Sequence, residues 1–207
     1  MKRISEFKKQ RTVLNLDLLD YLGNYEDGPT LPDVGLFQPS ESNVLDATTE
    51  KYEKLRVADV RAERDGTSVT ISATARYKPE DEDAHETDTY GYTETEFHNA
   101  FTLVDLSERE AALVAAFVPV AVGDEIAGFR ENATKTNSLV DRLKAITLPD
   151  PDDVADDLER YIETKERADE LDAKIEKTDR LIDEIVYDLY DLTDEEIEIV
   201  ESAVADD

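Results

Sequence analysis

With 207 residues the chain can bury one sizeable core or two small ones, and an apolar content of 40% excludes a disordered acidic tail. Its 23 Lys and Arg against 52 Asp and Glu leave a formal charge of −29, a field that repels nucleic acid and membranes when averaged over the molecule. The absence of Cys excludes disulfides and thiolate metal sites, His85 and His98 are too few for a His cluster, and no apolar run suits a signal peptide or a membrane span of ~18 residues.

The first expected element is an amphipathic helix over residues 4–25, with Phe7, Leu14, Leu18 and Leu22 at helical spacing and Gly23-Asn24 as its stop. A long ordered loop follows, marked by Pro29, Pro32, Pro39, Gly28, Asp33, Gly35 and Asn43. From Lys54 to Tyr77 the period changes to two. Leu55, Val57, Val60 and Ala62 form one arm of a hairpin, and Val69, Ile71, Ala73, Ala75 and Tyr77 the other. Asp65-Gly66 between them predicts a type I′ turn, and the slip from Val57 to Val60 predicts a bulge near Ala58-Asp59.

Glu80 to Glu96 reads as an acidic, turn-prone connection, and Ala100 to Val104 as a short strand. Ser107 and Glu110 form a capping box that opens an apolar helix over 111–122. Beyond Gly123 and Gly128 a second helix is expected to about Ile146, burying Phe129, Ala133, Thr136, Val140 and Leu143. Leu148-Pro-Asp-Pro151 stops it.

From Val154 to Leu189 the stripe runs through Leu158, Tyr161, Lys165, Ala168, Leu171, Ile175, Thr178, Ile182 and Ile185. That is a helix roughly 54 Å long at about 1.5 Å per residue. The steps of three at Lys165, Ala168 and Leu171 form a stammer. Thr193 and Glu196 cap a final short helix. The fold class is therefore α+β: a mixed region with a small hairpin over 1–106, then an all-helical antiparallel bundle with one long coiled-coil-like helix over 107–207.

Positive charge collects locally. Lys2, Arg3, Lys8, Lys9 and Arg11 face Glu6 alone in the first eleven residues. The hairpin holds Lys54, Arg56, Arg61, Arg64, Arg76 and Lys78, and the segment 129–144 holds Arg130, Lys135, Arg142 and Lys144. Small polar donors such as Asn132, Thr134, Thr136, Asn137 and Ser138 accompany the last group, as phosphate contact requires. For any single cation, pairing with the surrounding acids is at least as good an account. The other constellations are weak. Glu163-Thr-Lys165 and Asp172-Ala-Lys174 match a loose nuclease triplet but fall on a charged helix, and Asp81-Glu82-Asp83 fits a solvated loop better than a cation site. No metal or cofactor site is expected.

The segment Leu181-Ile-Asp-Glu-Ile-Val-Tyr-Asp-Leu-Tyr-Asp-Leu-Thr-Asp-Glu-Glu-Ile-Glu-Ile-Val-Glu201 resembles the closing segment of adenine-specific DNA methyltransferases and fused restriction–modification enzymes. Phe129 to Leu143, the Leu-Pro break and the long helix after it extend the resemblance, and Arg76 to Pro79 and Gly91 to Glu96 resemble parts of salt-adapted members. In that family the matching region is the helical end of the target-recognition part. The family's chemistry needs an Asn/Asp-Pro-Pro-Tyr/Phe loop and a glycine turn for S-adenosylmethionine. Leu31-Pro-Asp-Val34 and Leu148-Pro-Asp-Pro151 do not supply the loop, and no Gly-x-Gly occurs.

The resemblance therefore implies a halophilic, cytoplasmic, non-catalytic DNA target-recognition domain, whose partners are DNA and a separate or severed methyltransferase domain. Arg130, Lys135, Asn137, Arg142 and Lys144 are the expected backbone contacts, with Arg61 and Arg64 nearer the bases. The competing expectation is a coiled-coil protein–protein interaction subunit with no nucleic-acid role.

Overall fold

A computed structural model describes residues 2–40, 44–48, 51–81 and 84–205. In chain order the first elements are α1 (Lys2–Thr12), α2 (Leu18–Leu22), β1 (Asp27–Thr30), α3 (Leu31–Val34), β2 (Leu36–Pro39) and a single 3₁₀ turn at Val44–Asp46. Then come β3 (Glu53–Asp65), β4 (Ser68–Lys78), β5 (Thr93–Glu94), β6 (His98–Val104) and α4 (Glu108–Gly123). The chain ends with α5 (Leu139–Lys144), β7 (Thr147–Pro149), α6 (Ala155–Tyr190) and α7 (Asp194–Ala205). These divide into two compact units, one spanning Leu18–Leu158 and the other combining Met1–Asp17 with Glu159–Asp207.

Strand alternation organises the larger unit. Val69, Ile71, Ala73 and Ala75 of β4 have no exposed surface, while Ser68, Thr70 and Ser72 between them stay half-exposed. Pairing is antiparallel in the order β2-β6-β4-β3, with β5 on the far end of β4. Register places Phe101 and Leu103 of β6 on the same apolar face as Ile71 and Val69. Helix α4 buries Ala111, Leu113, Val114, Phe117, Val118 and Ala121 and packs on β3 and β4. Its capping box is present: the Glu110 amide donates to Ser107 Oγ, and the Ser107 amide donates to the Glu110 carboxylate.

The hairpin forms with its irregularity between Val57 and Val60, as the alternation predicts. Its turn differs in type. Asp65 pairs with Ser68, and the positive φ lies at Gly66 (+59°) and not at Thr67. That is the pattern of a type II′ turn, which asks for glycine at the first central position only.

The expected all-helical bundle does not form. The helix that precedes α5 in sequence, α4, lies on a five-stranded antiparallel sheet, so the architecture is mixed α/β. The expected helix over 128–146 reduces to α5, because the polar side chains before it bond local backbone instead. Asn132 Nδ2 donates to the Gly128 carbonyl, Asn137 Nδ2 to the Asn132 carbonyl, and Ser138 with Asp141 caps the short helix that remains. Ala133 and Thr136 are consequently exposed, while Val140 and Leu143 are buried.

The first helix is likewise split, and the Asn15 side chain accepts from the Asp17 amide in the gap. The loop after it holds β1, α3 and β2. Strand β1 pairs with β7 so closely that a side chain at Gly28 would stand 2.7 Å from the Asp150 backbone. Asn43 lies outside the described residues.

In the smaller unit, α1 runs antiparallel to α6. Arg11 pairs with Asp172 at 2.8 Å and Lys8 with Asp179 at 3.3 Å. Ile4, Tyr161, Ala168 and Leu171 are buried. The stripe then emerges: Ile175 and Ile182 are half-buried, and Ile185 and Leu189 are 58% and 75% exposed. The predicted seam therefore ends within α6.

Replacing Phe101 by Ala removes a fully buried ring that meets Phe37 edge-on at 4.8 Å. It should cost about 3–5 kcal/mol of unfolding free energy. Leu189→Ala should stay within about 0.5 kcal/mol. Denaturant titration of both variants in molar salt checks the pair; equal losses would show that the apolar core is misplaced.

Candidate nucleic-acid interface

The predicted DNA contacts do not all share one surface, although Lys135 and Arg142 line one cleft. Arg142 is buried at 6% exposure and its Nη2 donates to the Thr134 carbonyl at 2.8 Å. Lys144 sits over the Phe37 ring at 4.9 Å and the Phe101 ring at 5.9 Å, on the apolar side of the sheet. Asn137 is held by the Asn132 carbonyl. Arg130 is exposed and pairs with Glu125 at 3.3 Å, and Lys135 is exposed. Arg64 closes its own turn by donating Nε to the Gly66 carbonyl. Arg61 lies on the opposite, polar face of the sheet with its guanidinium 3.7 Å from the centroid of Phe97. Of the seven residues, then, several have structural engagements, and Arg61 stands apart from the α5 group.

The basic N-terminal segment follows the acid-pairing account at Lys8 and Arg11; the side chains of Lys2 and Arg3 lie outside the described residues. The nuclease-like triplets lie on α6, where Asp172 engages Arg11 and Lys174 engages Glu170. Glu82 and Asp83 lie outside the described residues. His85 Nδ1 donates to the Asp81 carbonyl, and His98 belongs to β6.

What the strands do assemble is a polar sheet face away from α4. Register aligns Gln38, Thr102, Thr70 and Glu63 in one row across β2, β6, β4 and β3. Asn99, Ser72 and Arg61 form the next row, and Arg56, Arg76 and Glu94 another. The Thr70 and Thr102 hydroxyls meet at 3.0 Å. Amides, hydroxyls and guanidinium groups thus share one half-exposed surface, which is the set of groups that reads base edges.

Beside this face, the 88–92 turn is built by Asp88. Its carboxylate accepts from the Tyr90 and Tyr92 amides at 2.8 and 3.0 Å and from the Arg76 guanidinium. Gly91 takes the positive φ that the turn needs. Tyr92 is thereby set beneath three cations, Arg76 at 4.9 Å, Lys78 at 5.2 Å and Arg56 at 5.6 Å from its ring centroid. Sequence reading missed Tyr92, Phe97, Ser72 and Asn99. The polar residues alternating with the buried ones on β4 were the signal for Ser72, whereas the aromatic placements depend on tertiary turns.

Comparison with protein-family models, with curated proteins and with solved structures finds no match for this chain. Among the described residues, no helix is long and apolar enough to cross a membrane.

The Tyr92 amide, foremost, and then the Tyr90 amide and Arg76, hold the Asp88 carboxyl below the ordinary aspartate range. A depressed folded-state pKa stabilises the turn above the unfolded value, and that contribution disappears as pH falls through the folded value. NMR titration should find Asp88 protonating below an ordinary Asp, with the Tyr92 ring signals moving at the same pH. An ordinary midpoint, or Tyr92 signals unchanged in Asp88→Asn, would contradict the arrangement.

Proposed function

We propose that this chain is the target-recognition portion of an adenine-specific DNA methyltransferase of the restriction–modification type, non-catalytic by itself and cytoplasmic. The resemblance of residues 129–201 to the recognition end of those enzymes supports the family reading. The observation that carries the functional reading is the polar sheet face, with Arg61, Ser72, Asn99, Thr70, Thr102 and Gln38 in adjoining rows.

On this reading the rows face a DNA groove and Arg61 is the principal base reader. Its stacking on Phe97 holds the guanidinium plane, which suits bidentate contact with a purine edge. In the salt that a charge of −29 implies, counterion release contributes little. Affinity then depends on base contacts and on the methyltransferase partner, and the chain alone binds DNA weakly. Methyl transfer and S-adenosylmethionine binding belong to the partner domain.

A second reading, a protein-interaction subunit with no nucleic-acid role, has one observation in its favour. Leu181, Ile185, Leu189 and Tyr190 on α6 and Ile199 on α7 are each more than half exposed. Residues 181–205 also carry nine Asp and Glu and no Lys or Arg. A second copy of so acidic a surface would be repelled, so the occupant would be an apolar helix with basic flanks.

Selection from a randomised duplex library, with the catalytic partner present, separates the two. A defined recognition sequence should emerge, and Arg61→Ala should relax one base position by about 1–3 kcal/mol of discrimination while sparing the others. Enrichment of no sequence, with partner binding lost on Leu189→Asp alone, would overturn the recognition reading in favour of the interaction subunit.

A further inference from the structure

Strand alternation would put Lys54 on the same face as Arg56. It is not kept there. The β3–β4 register shifts between Glu53 and Arg56, and Lys54 takes a φ of +58°, a value uncommon for a residue with a side chain. Such irregularities re-aim a side chain. Lys54 instead lines a cleft of about 480 Å³ shared with Glu53, Leu55, Thr134, Lys135 and Arg142. The cleft joins the base of the hairpin to the segment that leads into α5, two regions about eighty residues apart in sequence.

Arg142 is the anomaly within it. The side chain is more than nine-tenths buried, yet its one protein partner among the described residues is the Thr134 carbonyl. Its Nε is sealed from solvent with no acceptor. Burial pushes its pKa down. A guanidinium stays charged in a protein, so this is a desolvated cation with no counter-ion among the described residues. Leaving such a charge uncompensated is costly, and a chain with 52 acids had every means to supply a carboxylate. Two lysines converge on the same cleft, and Glu53 is the single acid among its described lining residues.

We propose that this cleft binds a single phosphate group, held by Lys54, Lys135 and Arg142, with the Thr134 hydroxyl as a further donor. Its anion supplies the counter-charge that none of the described residues provides. The site differs from the polar sheet face in what it recognises: charge and tetrahedral shape in place of base edges. It rests on the DNA reading only for the source of the phosphate, a DNA backbone in place of a free phosphate or nucleotide.

The test follows the Arg142 Nε–Hε NMR resonance and the Lys54 signals of the full chain during titration with inorganic phosphate at constant ionic strength. In parallel, the salt dependence of binding to a random-sequence duplex is measured. Lys54 and Lys135 are exposed, so Lys54→Gln and Lys135→Gln leave the core intact even where an Arg142 variant fails to fold. Phosphate should shift the Arg142 resonance saturably, and each variant should weaken that response about tenfold. Each should also lower the duplex salt slope by about 0.9.

A phosphate response lost in the variants, with duplex binding unchanged, supports the site and assigns it to a free phosphate group. The same response with no duplex binding by any form supports the site while the DNA reading fails. No shift of Arg142 with phosphate, or a shift that Lys54→Gln leaves intact, overturns the proposal, whatever the duplex does.

Discussion

Helix α4 can lie on the sheet because β4 alternates buried with accessible residues, and because its buried row ends in two alanines, Ala73 and Ala75. Helix α4, which packs on β3 and β4, is itself rich in alanine on its buried side, at Ala111, Ala112 and Ala121. Fully desolvating Val69, Ile71, Phe101, Leu103, Leu113 and Phe117 on either side of that contact gives the larger unit its core. A period-two strand with one face buried has no freedom in its other face. The same packing that hides Ile71 therefore presents Ser72, and with it Asn99 and Arg61, to solvent. The candidate interface is a by-product of the core's register.

Charge follows a different rule. Several cations among the described residues sit beside acids, as Arg11 does with Asp172, Arg109 with Asp152 and Arg180 with Glu176. Exposed pairs of this kind contribute roughly 0–1 kcal/mol each and less in strong salt. They hold side chains in place without deciding the fold. Others are held on aromatic rings: Arg61 on Phe97, Lys144 on Phe37, and Arg56 and Lys78 on Tyr92, which Arg76 also meets while paired with Asp88. Ring contacts keep the positive charge available in a way that ion pairs do not, since the ring brings no opposing formal charge. Arg142 belongs to neither class, and it differs from the other cations in being buried, with its Nε lacking an acceptor.

Local signals were legible in the residues wherever the local and tertiary preferences agree. The hairpin, its bulge, the Ser107 cap and the long helix α6 all follow from spacing alone. The reading failed where polar side chains had a local alternative to the helix. Asn132, Thr134 and Asn137 occupy a stretch whose apolar spacing is helical, yet their side chains bond backbone within five residues. Proline and glycine between residues 28 and 39 read as a loop, and short strands were hidden there because their pairing partners β6 and β7 lie far along the chain.

The surroundings of the cations were illegible for a related reason. Positive charge is visible in sequence, but burial of Arg142, the ring beneath Lys144 and the redirected backbone at Lys54 are decided by contacts between distant segments.

Whether the polar face of the sheet meets nucleic acid, as proposed, is tested most directly by hydrogen–deuterium exchange of the chain with the proposed methyltransferase partner, with and without duplex DNA. Added protection in β3, β4 and β6, centred on residues 61, 72 and 99, is the predicted result. Protection confined to α6 and α7, with the strands exchanging as they do without DNA, would contradict it.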